Sequence, residues 1–110
     1  ASDVYKRQDI EQYGTRVRKV ASRFIRSDEE PAMMEGDEVY ALLLHWSAKE
    51  ALFKLMGVEE VDFIRHLRIF PFSLSEEGEF EACEYRTGRQ ERYRVRYVTH
   101  PDFVLTWIIK

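Results

Sequence analysis

Residues 46–54, Trp46-Ser47-Ala48-Lys49-Glu50-Ala51-Leu52-Phe53-Lys54, lie inside the longest helical pattern of this 110-residue chain. The pattern runs from about Asp37 to Met56, with apolar residues at Val39, Leu42, Leu43, Trp46 and Phe53. It stops at Gly57, a residue suited to a left-handed helix cap. So broad an apolar face predicts the central, most buried helix of the fold. At 3.6 residues per turn, Trp46, Glu50 and Lys54 form one stripe and Lys49 sits on its edge. A carboxylate flanked by two ammonium groups suits a place where a metal ion and phosphate oxygens meet. The same Glu50–Lys54 spacing is also that of an ordinary surface ion pair.

On the amino-terminal side, Val17, Val20, Ala21, Phe24 and Ile25 recur at helical spacing and predict a helix from about Thr15 to Arg26. Arg16, Arg18, Lys19, Arg23 and Arg26 occupy its other face. Ser27 or Asp28 then caps a short second helix holding Glu29 and Glu30, which Gly36-Asp37 ends. Beyond Gly57 the period changes from 3.6 to 2. Val61 to Arg65 adds one turn, and His66 to Phe72 reads as a strand. Glu79–Tyr85 and Gln90–Val98 alternate around Thr87-Gly88. A hairpin centred there sets Glu79 opposite Arg96, Glu81 opposite Arg94, Phe80 opposite Val95 and Ala82 opposite Tyr93. After the His100-Pro101-Asp102 turn, Phe103 to Ile109 forms a last strand. The expected class is α+β: a strand, three helices, then antiparallel strands.

Apolar residues make up 45% of the chain and aromatics 14%, enough for one core. No apolar run approaches the ~20 residues of a membrane span. A net charge of −3 argues against general nucleic-acid binding. The Arg92, Arg94, Arg96 stripe is explained more simply by cross-strand glutamates than by a nucleic-acid face. The single Cys83 allows no intrachain disulfide, which points to a reducing cytoplasm. His45, His66, His100 and Cys83 show no metal-ligand spacing.

The string Trp-Ser-x-Lys-Glu-Ala-x-x-Lys from Trp46 to Lys54 resembles the signature of the phosphopantetheinyl transferases. Asp9-Ile10-Glu11 stands where that family has a strand ending in Asp-x-Glu, and Arg23-Phe24-Ile25-Arg26-Ser27-Asp28-Glu29 resembles its Arg-Phe-Phe/Leu-Ser-x-x-Glu segment. Pro101 to Trp107 looks like the closing strand of the surfactin-type enzymes, which are built from two similar halves. The resemblance is to the carboxy-terminal half, over residues 9–110. Tyr5-Lys6-Arg7-Gln8 replaces the family's apolar residues before the Asp, so residues 1–8 read as a junction segment of foreign origin.

The resemblance implies Mg²⁺-dependent transfer of the phosphopantetheine arm of coenzyme A to a serine of an acyl or peptidyl carrier protein. It implies Asp9, Glu11 and Glu50 as metal ligands, Lys49 and Lys54 as pyrophosphate contacts, and Lys54 within the catalytic set. Glu29 is the implied general base, with Glu30 as the alternative. Arg16, Arg18 and Arg23 are the implied contacts for an acidic carrier. A half-enzyme of this kind is expected to be inactive alone. It is also expected to form a homodimer through an apolar face near Phe70, Phe72, Phe103 and Trp107, or through an open edge before Asp9. Two other readings remain: a non-catalytic binding module, and a complete small synthase of the trimeric type.

Overall fold

The expected central helix is present as Glu38–Met56 in a computed structural model that describes residues 7–31, 37–57 and 60–110. Its first turn is capped by Asp37, whose side chain accepts from the Val39 N–H at 2.8 Å. Its last turn closes on Gly57 at φ +64°, where the Gly57 N–H reaches the Phe53 carbonyl. The helix is buried on nearly every side: Leu44, Ala48, Ala51 and Leu52 are fully buried, opposite the half-buried Trp46 and Phe53.

Along the chain the described elements are β1 (Gln8–Gln12), α1 (Val17–Val20), a 3-10 turn (Ala21–Arg23), α2 (Glu38–Met56), β2 (Leu67–Ile69), β3 (Glu77–Glu84), β4 (Arg92–His100) and β5 (Phe103–Ile108). The strands form one antiparallel sheet in the order β1-β5-β4-β3-β2. Helix α2 lies across one face of it, against Val104, Thr106 and Ile108 of β5 and the inward residues of β1. This is the expected α+β class.

Three local expectations change. The first helix is far shorter than 15–26: α1 has no side-chain cap, and the chain tightens into the 3-10 turn that buries Phe24 against Trp46, ring centroids 5.1 Å apart. Ser27 to Glu30 form a turn closed by Glu29, whose carboxylate accepts from the Arg26 N–H at 2.8 Å. The remainder of the expected second helix, at 32–36, lies outside the described residues, as do residues 1–6 of the expected junction segment. The 66–72 strand stops at Ile69, because Pro71 has no N–H to extend the ladder beyond the Phe70 N–H to Glu81 bond.

The β3–β4 register is the expected one, with Glu79 opposite Arg96, Phe80 opposite Val95, Glu81 opposite Arg94 and Ala82 opposite Tyr93. The ion pairs run diagonally instead of straight across: Arg94 holds Glu79 at 2.6 Å and Arg92 lies 3.6 Å from Glu81. Strand twist brings such diagonal neighbours together. The connection is longer than two residues and is organised by buried Glu84, which accepts from the Thr87 N–H, the Thr87 hydroxyl and the Glu91 N–H.

Of the expected apolar outer face, Phe72 belongs to the core side, stacked on Phe80 at 4.3 Å. Phe70 lies under the guanidinium groups of Arg68 and Arg92. Phe103 and Trp107 alternate with the buried residues of β5 and so face away from α2. On that open face Ile10, Leu105 and Val98 stand in one row across three strands.

Candidate active site

Strand β1 and helix α2 meet through a small polar joint. Ser47 is fully buried; its hydroxyl lies 2.8 Å from the Thr106 hydroxyl of β5 and 3.2 Å from the Asp9 carbonyl of β1. A bulkier side chain at 47 would hold the helix off the strands. With this joint closed, the α2 residues that follow Ser47 along the helix come against the inward-facing Asp9 and Glu11.

The Glu50 carboxylate therefore shares its surroundings with those of Asp9 and Glu11. Burial raises the Glu50 pKa above its ordinary value and the Asp9 charge raises it further, while Lys54 opposes the rise. Glu11 is pushed up to about 8, first by burial, then by the neighbouring Asp9 carboxylate. The Trp46 indole opposes that rise.

Lys54 does not pair with Glu50 along the helix. Its ammonium reaches across to β1, 3.1 Å from Asp9 Oδ1 and 3.3 Å from the Gln8 carbonyl. The other oxygen of Asp9, Oδ2, is buried without a hydrogen-bond partner. With all three carboxylates ionised, the single Lys54 ammonium would leave two formal negative charges uncompensated in this region. A buried, unpartnered carboxylate oxygen in such surroundings is costly unless a cation or donor completes it. The donor set is all oxygen, which suits a hard divalent cation such as Mg²⁺. Among the described residues, no three acidic, His or Cys side chains are drawn together as a ready-made metal cage. A groove of about 440 Å³ opens beside the cluster, sharing Glu11 and Trp46 with it and running over Val17, Val20 and Leu43 to Arg16 at the rim.

A model of the 4'-phosphopantetheinyl transferase superfamily matches residues 3–108. The chain belongs to that superfamily. No curated protein and no solved structure matches it.

Within this phosphopantetheinyl transferase fold, the remaining two residues expected at the site lie elsewhere. Lys49 and Glu29 face each other, 2.8 Å apart, with both side chains fully buried. The Lys49 ammonium spends its three donors on Glu29, the Phe24 carbonyl at 2.5 Å and the Phe63 carbonyl at 3.1 Å. Glu29 accepts in addition from the Arg26 N–H and from the Ile69 N–H at 2.6 Å. Burial lowers the Lys49 pKa, and Glu29 works against that shift. The pair fastens α2 to the Phe24–Glu29 segment, to the turn at Phe63 and to the end of β2. Glu30 is exposed beside it.

Trp46 bridges the two regions: one side packs on Phe24 and Phe63, and its indole adjoins Glu11. His45 is buried, hydrogen-bonded through Nδ1 to the Ala41 carbonyl at 2.8 Å. Arg16, Arg18 and Arg23 are exposed on and around α1, with Arg18 3.9 Å from Glu38. Ser47 and Thr106 had no expected role, yet they set the position of Asp9. The signal for Ser47 lay in the motif itself, as the small polar residue between Trp46 and Ala48.

Proposed function

We propose that the chain contributes the metal site of a phosphopantetheinyl transferase, with Asp9, Glu11 and Glu50 as the metal ligands and Lys54 as a phosphate contact. One observation supports the reading: Asp9, held by the Lys54 ammonium, keeps a buried oxygen unpaired, and the pKa values of neighbouring Glu11 and Glu50 are raised by burial and by the Asp9 charge. The reaction of this superfamily is attack by a carrier serine hydroxyl on a phosphate of the coenzyme A pyrophosphate. The oxygen–phosphorus bond to the serine forms as the bond to the nucleotide phosphate breaks; the serine proton passes to water and the nucleotide leaves with the bridging oxygen on its own phosphate.

Mg²⁺, when bound, would draw charge from the phosphate oxygens. Lys54 would hold a phosphate oxygen as a point charge, stabilising the leaving nucleotide. Glu29 and Lys49 enter the reading as a positioning pair, because they clamp the turns that carry Phe24 and Phe63 against Trp46. The groove between Glu11, Trp46 and Arg16 gives the pantetheine arm and the carrier a route to the cluster, and the basic residues near α1 suit an acidic carrier. We also infer, from the order of the three motifs, that the fold corresponds to the carboxy-terminal half of a two-half enzyme, working beside a reducing cytoplasm's carrier proteins.

Calorimetry with Mg²⁺ and coenzyme A tests the site. Glu50→Gln should abolish metal-dependent coenzyme A binding and leave the fold intact, since the change is nearly isosteric and removes only charge. A Glu50→Gln protein that loses stability yet binds Mg²⁺ as before would make the carboxylate structural and the assignment wrong.

A further inference from the structure

Two lysines five residues apart have opposite settings. Lys49 is fully enclosed and has all its donors used. Lys54, in the last turn of α2, is 43% exposed and holds one carboxylate oxygen and one distant carbonyl. The carboxylate it holds is itself nearly buried, 7% exposed, and its second oxygen is the unpaired one. Lys54 is thus the cation of Asp9 as the site stands, but an incomplete partner: it holds one oxygen of the carboxylate and leaves the other unpaired.

We propose that Lys54 is the resident counter-ion of the metal-free site, released from Asp9 when a divalent cation binds and only then available to a phosphate. The inference rests on the proposed metal site. A divalent cation held by Asp9 would neutralise the carboxylate, remove the attraction that keeps the ammonium there and repel it directly. The flexible four-carbon stem lets the head swing outward at little cost, because nothing else encloses it. One ammonium has too few free donors to serve a buried carboxylate and a substrate phosphate equally well, so the metal decides which it serves. Binding is thereby ordered, with the cation preceding the phosphate and no phosphate capture without it.

The test uses the intact chain with Mg²⁺ alone. Binding heat is measured by calorimetry, and the Lys54 side-chain ammonium is followed by NMR, its signal assigned by its loss in Lys54→Gln. In metal-free protein the signal should be slow-exchanging and held by Asp9. Saturation with Mg²⁺ should shift it to a solvent-exposed ammonium or broaden it away, and pulse acylation of Lys54 read by mass spectrometry should rise severalfold. Glu50→Gln should show neither heat nor change. Mg²⁺ heat with an unmoved Lys54 signal would overturn the exchange while leaving the metal site standing. Absence of heat in the wild-type chain would overturn the metal site and the exchange with it.

Discussion

Lys49→Met is the sharpest test of how the fold carries the site. The substitution keeps the length and apolar stem of the side chain and deletes the ammonium. Glu29 then retains two backbone donors, from Arg26 and Ile69, but no cation, in a place where its side chain has no contact with water. Removing one partner of a buried ion pair costs about 3–5 kcal/mol. The Phe24 and Phe63 carbonyls lose their donor in the same step, and each such orphan adds up to ~1–3 kcal/mol, not independently of the first cost. At roughly 4 °C per kcal/mol for a domain of this size, the first figure alone lowers Tm by roughly 12–20 °C.

Urea unfolding followed by the fluorescence of Trp46 and Trp107 measures it. Adding Glu29→Gln to Lys49→Met gives the coupling between the two residues, expected to be about 2 kcal/mol or more. The double variant should not regain wild-type stability, because the carbonyls of Phe24 and Phe63 stay unpaired. A Lys49→Met protein within about 1 kcal/mol of wild type that has lost coenzyme A binding would refute the reasoning. That outcome would return Lys49 to the pyrophosphate and Glu29 to the serine proton.

Four further outcomes are expected. Glu11, raised to about 8 chiefly by burial, keeps its proton in the metal-free fold at neutral pH; Mg²⁺ affinity should therefore rise about tenfold per pH unit up to about 8 and then level, as calorimetry across pH will read. Because its folded pKa lies above the ordinary 4.5, this group makes metal-free stability fall as pH rises from about 4.5 to 8; a melting temperature that climbs through that window would contradict the assignment. Trp46→Ala removes a half-buried ring packed on Phe24 and Phe63, and should cost somewhat less than the ~3–5 kcal/mol of a fully enclosed ring, measured by urea unfolding. Ile10, 60% exposed and in line with Leu105 and Val98, leaves an apolar row uncovered on the outer sheet face. A homodimer is expected there, and sedimentation giving a clean monomer at high micromolar concentration would count against it.

The carboxy-terminal part of the fold was legible because its signals are local. Alternation around Thr87-Gly88 sets the pairing of two adjacent strands, and the register followed residue by residue. The longer connection has a physical cause visible only afterwards. Glu84 continues the inward series of Phe80 and Ala82, so its carboxylate is forced inside and must gather the donors of the returning loop. A charged residue at an inward position near a hairpin end was the available signal. The shortened first helix had no such signal, since the Phe24 carbonyl that ends it is held by a lysine 25 residues further on.

The candidate site was half legible for a related reason. Lys49 and Glu50 are adjacent, and a helix turns about 100° between neighbours. Sequence proximity places both at one locus, whereas the helix directs them to different ones. Glu50 meets β1 and its carboxylates; Lys49 meets the Phe24–Glu29 segment and the Phe63 turn. The nine-residue motif is thus two structures in one string, a charged stripe turned toward β1 and an enclosed pair that fastens the helix to the Phe24–Glu29 segment. Only the first follows from the periodicity of the helix, because the second depends on Glu29 and on two backbone carbonyls brought in from elsewhere in the chain. This division explains why the half-exposed lysine at 54 and the buried one at 49 share a motif without sharing surroundings.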